Sequence, residues 1–362
     1  MSSFNIPPGA AARLYIVDST SRMHNMSTSM LLGPPVEGFD MFPPLGSWSF
    51  LIESSMGTKV LFDLSIPANV ESSPPLIAKQ LEEFQVEIKP NKDVADILRE
   101  NGIEPGEVKS VVWSHHHFDH VGDIRTFPST TELVVGPGFM DEFYPGYPTH
   151  PDSHIQESYF TNRKTREISF LEPGVVQIGS FRAHDFFGDG SFYLLDAPGH
   201  TIGHLSGLVR TTTGPDTFIL MGGDMSHHSG EMRPSSLLPI PDEVVKHQAP
   251  RRSPAVCPCG AAFRQLNSHR GRQESEPFFD PIFSSDMQQA SQTIRNAQAA
   301  DARDDIFIVC AHDMDIVGVV DFFPKTANQW KEKGWKQKSL WRFLGDLAAA
   351  ASVFDVKDTL VA

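Results

Sequence analysis

Cysteine, long apolar runs and positive charge are all scarce in this chain of 362 residues. Its three cysteines are too few, and odd in number, for a disulfide framework, which favours a reducing compartment, and we expect a cytoplasmic protein. No apolar run approaches the roughly 20 residues that span a bilayer, so no membrane partner is expected. Residues 1–8 lack the basic and apolar regions of a signal peptide.

Negative charge exceeds positive charge, since the chain has 30 Lys and Arg but 45 Asp and Glu, which gives a formal net charge of -15. Proteins that bind nucleic acid neutralise phosphates with Lys and Arg, so this balance argues against a nucleic-acid partner. We interpret the local arginine cluster, Arg251, Arg252, Arg264, Arg270 and Arg272, as part of a solubilising surface. With 40% hydrophobic and 21% charged residues, the composition is typical of a globular protein.

Hydrophobic periodicity predicts strands at 14–17, 48–52, 60–64, 108–113, 132–135, 181–186, 191–195, 205–209, 218–221 and 306–310. It predicts helices at 77–84, 93–101, 137–143, 284–300 and 339–354. Strands come early and late with helices between, which favours an α/β fold of the α+β kind, with two packed sheets and helices outside. Residues 230–283 are rich in Pro, Arg and Ser and show little periodicity, which is typical of a functional lid or a disordered insertion.

The most distinctive stretch is residues 115–120, His-His-His-Phe-Asp-His, which follow directly on a predicted strand. Histidine and aspartate bind zinc and other first-row metals at neutral pH. A loop at a strand end can direct His115 and His117 toward one metal and the pair Asp119 and His120 toward a neighbouring metal. Taken alone, the stretch leaves the kind of metal site open.

Three further strand ends carry potential ligands. His200 lies on a Pro-Gly turn, Asp224 follows a glycine corner, and His312 comes after the strand at 306–310. Strand ends are rigid, and rigid elements hold metal ligands in fixed positions. Asp63 ends an early strand and is a candidate to orient these ligands without binding the metal itself. The Cys257-Pro258-Cys259 stretch lacks a second cysteine pair at zinc-finger spacing, and we interpret it as structural.

Together these motifs resemble those of the metallo-β-lactamase-fold hydrolases. The family motif His-x-His-x-Asp-His matches residues 115–120, Pro-Gly-His-Thr-x-Gly-His matches 198–204, Gly-Asp matches 223–224, and the last strand-end histidine matches His312. The resemblance implies an αββα four-layer sandwich. We expect a single domain over residues 1–362, with an N-terminal extension to about residue 45, an insertion at about 230–283 and a C-terminal helix at about 339–354.

The resemblance also implies the ligands and the cofactor. His115, His117 and His200 would hold one metal ion, Asp119, His120 and His312 the other, and Asp224 would bridge them. Two Zn²⁺ ions per chain are implied, with other divalent first-row metals as alternatives. We interpret His116 as a residue on the opposite side of the strand end that is not a ligand, and His204 as a supporting residue.

Such a centre implies hydrolysis by a hydroxide shared between two metals, because coordination lowers the pKa of water to near neutrality. Asp119 is expected to orient this hydroxide and to transfer a proton. His227 occupies the position, three residues after the bridging aspartate, where lactonase-type members carry a tyrosine that contacts the substrate. An imidazole there can donate a proton to a leaving group. A surface or turn-capping role for His227 and His228 stays an alternative.

Residues 224–235 are most similar to the lactonase-like branch and to fungal lactamase-like members. We therefore expect ring opening of a small lactone, lactam or cyclic carbamate such as a benzoxazolinone. The alternative is a thioesterase that releases an acyl or polyketide chain from a carrier protein or CoA. The expected partner is a small hydrophobic or aromatic substrate, and a homodimer is compatible with the sequence. The candidate pocket residues are Phe139, Phe143, Tyr144, Tyr147, Phe186, Phe187, Phe278 and Phe279.

Overall fold

The computed structural model describes residues 4–243 and 259–354. The strands within these residues are β1 (Arg13–Val17), β2 (Arg22–His24), β3 (Leu32–Gly33), β4 (Ser49–Glu53), β5 (Lys59–Phe62), β6 (Glu87–Lys89), β7 (Val108–Val112), β8 (Glu132–Val135), β9 (Thr165–Glu167), β10 (Val176–Ile178), β11 (Phe181–Asp185), β12 (Phe192–Asp196), β13 (Leu205–Thr212), β14 (Thr217–Met221), β15 (Asp280–Pro281) and β16 (Ile306–Val309). The helices are α1 (Thr28–Leu31), α2 (Pro75–Glu83), α3 (Val94–Glu100), α4 (Phe118–Val121), α5 (Phe139–Phe143), α6 (Gly260–His269), α7 (Met287–Asp301), α8 (Trp335–Ser339) and α9 (Ala348–Ser352). None of these helices is long and apolar enough to cross a membrane.

Two six-stranded sheets form the centre of the fold. The first has the order β1-β4-β5-β7-β8-β9 and the second the order β10-β11-β12-β13-β14-β16, while β15-β3 and β2-β6 form two short sheets. In the first sheet β5, β7, β8 and β9 run parallel, and in the second β14 and β16 do so. Parallel neighbours end at the same edge of a sheet, so the first sheet presents four carboxyl ends side by side and the second sheet two.

The central core lies between the inner faces of these two sheets. Along β4, Phe50 and Ile52 point into this core and Leu51 points to the outer face. Along β14, Ile219 and Met221 point inward. This alternation is the period of two of a pleated strand. Both faces of these strands are buried, because further layers cover the outside of each sheet.

Helices form those outer layers. Leu98 of α3 and Phe139 of α5 pack on the outer face of the first sheet. Ile294 and Ala297 of α7 pack on the outer face of the second sheet. The order of layers is helix, sheet, sheet, helix, so the predicted αββα four-layer sandwich is confirmed.

A further apolar core lies outside the sandwich and joins three distant parts of the chain. It contains Phe39 from the N-terminal part, Phe263 from α6 and Phe343 from the C-terminal part. Strand β15 pairs with β3, which fixes residues 280–281 against the same N-terminal part. Strand β1 also lies within the predicted N-terminal extension, yet it pairs with β4 along its whole length. The organisation into one domain with appended segments stays a prediction.

Helix α6 was not predicted, because its apolar stripe is narrow. Only Ala262, Phe263 and Leu266 supply apolar side chains that are buried beyond its first residue, and polar residues separate Phe263 from Leu266 and follow it. The helix shows that part of residues 230–283 is regularly folded. Residues 244–258 of that segment lie outside the described residues.

The predicted single helix at 339–354 is wrong. Residues Arg342–Gly345 form a 3-10 turn, and α9 follows as a separate helix. Trp341, Phe343 and Leu344 are all buried, and side chains two residues apart do not share a face of an α-helix. The chain therefore leaves α-helical geometry where all three side chains reach the core. Every other predicted helix and strand overlaps an observed one.

Candidate metal centre and adjoining pocket

The polar side chains named from the sequence meet where the parallel strands end. Asp63 follows β5, His115 comes three residues after β7, Asp224 three residues after β14, and His312 three residues after β16. The turn before Asp224 requires glycine, because Gly223 has φ +56° and a Cβ there would lie 2.8 Å from His204 Nε2. The backbone thus brings both sheets' strand ends to one site.

Three histidines and Asp224 form a first donor set. Nε2 of His115 lies 2.9 Å from Nδ1 of His117. Nε2 of His200 lies 3.3 Å from the His115 nitrogen and 3.2 Å from the His117 nitrogen. Oδ2 of Asp224 completes the set, 3.7 Å from His115 Nε2 and 3.6 Å from His200 Nε2.

Asp119, His120 and His312 form a second donor set beside the first. Oδ2 of Asp119 lies 3.7 Å from His120 Nε2 and 3.3 Å from His312 Nε2. The other oxygen of Asp224, Oδ1, lies 3.2 Å from His120 Nε2 and 3.3 Å from His312 Nε2. Asp224 therefore turns one oxygen to each set, and the structure brings all seven predicted ligands together.

The donor atoms fit a pair of metal ions. Nitrogens bound tetrahedrally to zinc at about 2.0–2.1 Å lie roughly 3.3 Å apart, close to the separations in the first set. His120 Nε2 and Asp224 Oδ1 are buried without a well-formed hydrogen bond to any described residue, a costly state for polar atoms. Burial also lowers the pKa of His115 and of His200 well below 6.5, which leaves the neutral imidazoles that metals bind.

Backbone carbonyls orient two of the imidazoles through their second nitrogen. Nδ1 of His200 lies 3.0 Å from the carbonyl oxygen of Phe283, and Nδ1 of His312 lies 2.8 Å from that of Gly46. Each contact places the proton on Nδ1 and leaves Nε2 free for a metal. Such outer contacts fix the ring orientation of metal ligands.

Asp63 orients a third imidazole, at the position expected from its strand end. Oδ2 of Asp63 lies 2.9 Å from Nδ1 of His120. Ser114 holds the carboxylate in place, since its N–H donates to Oδ1 at 2.6 Å and its hydroxyl donates to Oδ2 at 2.8 Å. A negative charge behind His120 increases the basicity of its Nε2.

The two histidines interpreted as non-ligands lie outside both donor sets. His204 accepts the backbone N–H of Asp224 at Nε2, at 3.0 Å, and its Nδ1 lies 2.8 Å from the carbonyl oxygen of Ala197. It therefore fixes the backbone at Asp224. The ring of His116 stacks on Phe143, with centroids 4.3 Å apart and an interplanar angle of 23°.

The buried imidazole of His116 makes stability sensitive to acid. Burial lowers its pKa from 6.5 to about 3, so below pH 6.5 the unfolded chain binds this proton more readily and stability falls as the pH approaches 3. We expect His116→Phe to remove this contribution. Measured by urea unfolding, the free energy of unfolding of His116→Phe should fall less between pH 7 and pH 5 than that of the unchanged protein, by about 2 kcal/mol. Equal losses in the two proteins would contradict the assignment.

His227, predicted to be catalytic together with Asp119, lies between two carboxylates. Its Nε2 is 3.5 Å from Asp224 Oδ2, and its Nδ1 is 3.7 Å from Oε2 of Glu231, which also accepts the His227 backbone N–H at 2.6 Å. Burial alone would lower the pKa of His227, but the two carboxylates outweigh this effect and raise the pKa from 6.5 to about 10. A cation bound at Asp224 would lower this pKa, because it would offset the charge of that carboxylate.

Sequence reasoning missed Glu231. Its carboxylate caps the 3-10 turn Ser229–Glu231 in a reciprocal arrangement with His228, whose side chain accepts the Gly230 N–H. The spacing of three residues between His228 and Glu231 resembles that of a capping box and was the available signal.

An apolar pocket of about 240 Å³ opens onto both donor sets. His117, Asp119, Asp224, His227 and His312 line the side that holds the donor atoms. The remaining wall consists of Met23, Met26, Met30, Leu31, Ile77, Gln80, Leu81, Phe84, Val86, Phe118, His154 and Phe283. An apolar pocket was expected, but different residues form it.

The eight aromatic residues named from the sequence do not line this pocket. Phe139 and Phe143 pack on the outer face of the first sheet, and Phe278 and Phe279 lie in the further core. These side chains stabilise the fold, so that assignment is wrong. Phe84, Phe118 and Phe283 are the phenylalanines that line the pocket instead, and Phe283, four residues beyond Phe279, is 37% exposed and 5.6 Å from the His117 ring.

The arginine cluster is engaged within the chain where the structure describes it. Arg264 pairs with Asp242 at 2.7 Å and Arg272 with Asp280 at 2.8 Å. Arg270 donates to the carbonyl oxygen of Phe278 at 2.9 Å. The other two arginines of the cluster and Cys257 lie outside the described residues, so the interpretation of the cysteine pair stays a prediction.

Comparison with known proteins agrees with this geometry. The model of the metallo-beta-lactamase superfamily matches residues 42–236. Gamma-lactamase FDB1 of Fusarium pseudograminearum is 42% identical over 96% of this chain and 86% of its own length. Cytochrome P450 monooxygenase mpaDE of Penicillium roqueforti is 39% identical over 96% of this chain, but the chain spans only 39% of that protein.

A solved structure supports the fold. It is an N-acyl homoserine lactone hydrolase with N-hexanoyl-L-homoserine bound at its catalytic metal centre, and it covers 87% of this chain and 98% of its own. Its TM-score is 0.55 at 18% identity, a likeness of fold alone. Because a family model covers more than half of the chain and a relative 42% identical covers most of it, the chain belongs to the metallo-beta-lactamase superfamily and is a metal-dependent hydrolase.

Proposed function

We propose that this enzyme opens a small cyclic ester or amide, such as a lactone, a lactam or a cyclic carbamate like a benzoxazolinone, with two zinc ions. The observation that carries the proposal is a small apolar pocket placed directly against two donor sets that share Asp224. Small-molecule sites are typically concave and apolar, with few polar groups that orient the ligand. The gamma-lactamase name of the Fusarium relative supports the amide class of substrate.

The metal-holding roles follow the two donor sets. His115, His117 and His200 would hold one ion, Asp119, His120 and His312 the other, and Asp224 both. Two divalent ions held there would polarise a substrate carbonyl and would make hydroxide available at neutral pH. Asp119 lines the pocket, and its carboxylate is placed to accept a proton from the attacking water.

His227 is the residue placed to protonate the leaving group. Ring opening of an amide leaves a nitrogen that needs a proton as the carbon–nitrogen bond breaks. The imidazole of His227 lines the pocket and is held from behind by Glu231. It lies beside Asp224, so a proton donor stands next to the proposed metal centre.

The thioesterase alternative has less support. Binding of an acidic carrier protein needs a free basic surface, and the described arginines of the cluster are paired with Asp242 and Asp280 or bound to backbone carbonyls. A pocket of about 240 Å³ also encloses a small ring more readily than a polyketide chain.

A metal-removal experiment combined with a substrate panel tests the proposed function. The purified enzyme should contain about two zinc ions per chain, lose nearly all turnover on chelation and recover it when Zn²⁺ is added. The panel compares a lactone, an aryl lactam and a cyclic carbamate with a linear acyl thioester of similar size. A kcat/KM at least about tenfold higher for a cyclic substrate supports ring opening. A preference for the thioester would replace it with the alternative, and turnover that survives chelation would overturn both.

A further inference from the structure

Two polar side chains interrupt an otherwise apolar pocket wall. Apart from the residues of the metal centre and His227, the pocket is lined by ten apolar side chains, Gln80 and His154. Gln80 comes from α2, and His154 comes from the loop after α5. No charged side chain belongs to this part of the lining among the described residues. A few polar groups in an apolar wall usually fix the orientation of a ligand.

Gln80 and His154 bind each other and leave a polar atom available. Nε2 of Gln80 lies 3.2 Å from Nε2 of His154. Burial lowers the pKa of His154 below 6.5, so its ring is neutral at pH 7 and accepts the amide N–H of Gln80. Oε1 of Gln80 then has no hydrogen-bond partner in the part of the chain that the structure describes. Both side chains are half-buried, which leaves that oxygen open to a ligand.

The pair lies near the metal centre without touching it. The ring of His154 is 5.1 Å from that of His116, which is 4.6 Å from the ring of His117. A ligand with its reacting carbonyl at the donor sets therefore extends past His117 to reach Gln80.

The size of the pocket limits what extends there. A dry apolar cavity of about 150 Å³ binds benzene, so a pocket of about 240 Å³ encloses a fused bicyclic ring with a small substituent. Met23, Met26 and Met30 supply unbranched thioether side chains that adapt to a flat ring. The wall thus suits a compact, uncharged ring system.

We infer that the substrate is a compact, uncharged ring system with one hydroxyl substituent, and that Gln80 and His154 select for this hydroxyl. The inference rests on the proposed function, which places the reacting carbonyl at the metal centre. The hydroxyl donates to Gln80 Oε1, while His154 holds the amide in the orientation that presents this oxygen. In an apolar wall, a satisfied hydrogen bond of this kind favours the hydroxylated ring over its parent.

Binding of cyclic ketones that cannot be hydrolysed tests this selectivity. Calorimetry on the zinc-loaded enzyme compares 1-indanone with its four isomers hydroxylated on the benzene ring. At least one isomer should bind about three- to tenfold more tightly than 1-indanone. Gln80→Leu and His154→Phe should each abolish this difference. Lys79→Leu, an exposed change on the same helix, should preserve it.

Two results would overturn the inference. One is an unchanged enzyme that binds no hydroxylated isomer more tightly than 1-indanone. The other is a preference that persists in both Gln80→Leu and His154→Phe. Because indanones have no bond that the enzyme hydrolyses, this comparison decides the selectivity of the pocket, whereas the metal-removal and panel experiment decides the proposed function.

Discussion

Replacing Asp224 by alanine should lower kcat/KM on a cyclic substrate by about 1,000-fold or more. The reason is that Asp224 turns one oxygen to each donor set, at 3.6 Å and 3.7 Å from nitrogens of the first and 3.2 Å and 3.3 Å from nitrogens of the second. Its loss would remove a ligand from both of the proposed ions at once. Zinc content should fall with activity, and elemental analysis together with steady-state kinetics measures both.

Asp196→Ala is the matched control for this variant. Asp196 also ends a strand, β12, but it pairs with Arg182 of the neighbouring strand β11 and lies outside both donor sets. We expect its zinc content to stay at the level of the unchanged enzyme. An Asp224→Ala protein that retains two zinc ions and full turnover would refute the shared-ligand role.

His227→Phe should lower kcat by about 100-fold on a lactam while zinc content stays unchanged. The phenyl ring keeps the packing against His312, whose ring is 6.1 Å away and nearly parallel, but it cannot donate a proton. The loss should depend on the leaving group. An amide nitrogen needs protonation as it departs, whereas an aryl oxygen leaves readily as an anion. The kcat for an aryl lactone should therefore fall much less than the kcat for a lactam.

Kinetics on a matched lactam and aryl lactone separate proton donation from simple disruption. Equal losses on both substrates would mean that His227 maintains the shape of the pocket instead of donating a proton. His150→Phe changes an exposed histidine that lies outside the predicted metal-ligand motifs. This variant should leave both rates unchanged. A decrease in zinc content with His227→Phe would also contradict the assigned role.

The seven candidate ligands were predictable because each lies in a short motif at the end of an apolar strand. His115 and Asp224 needed only local sequence, since the strand before each one is buried on both faces and fixes where it ends. Pairing of parallel strands then determines that these ends meet. The αββα layers followed from the same motifs by resemblance.

The pocket wall was not predictable, because contacts between distant segments create it. Nothing local distinguishes Met23 or Gln80 from other core and surface residues, and only the folded chain places them beside His117. Aromatic character alone also did not identify the pocket residues, since Phe279 is buried in the further core whereas Phe283 lines the pocket. Strand β15 lies between these two residues and pairs with β3, a long-range contact that the local sequence does not reveal.

The donor atoms and the pocket wall come from different parts of the fold. The donors stand at or just beyond strand ends of the sandwich, whereas the wall is built largely from the N-terminal part, α2 and the residues after β15. The pocket wall and the donor residues can therefore evolve separately. Substitutions in the wall can alter which molecules bind, while the chemistry at the strand ends is retained. Divergence of substrate range within a lineage then requires no rebuilding of the sandwich.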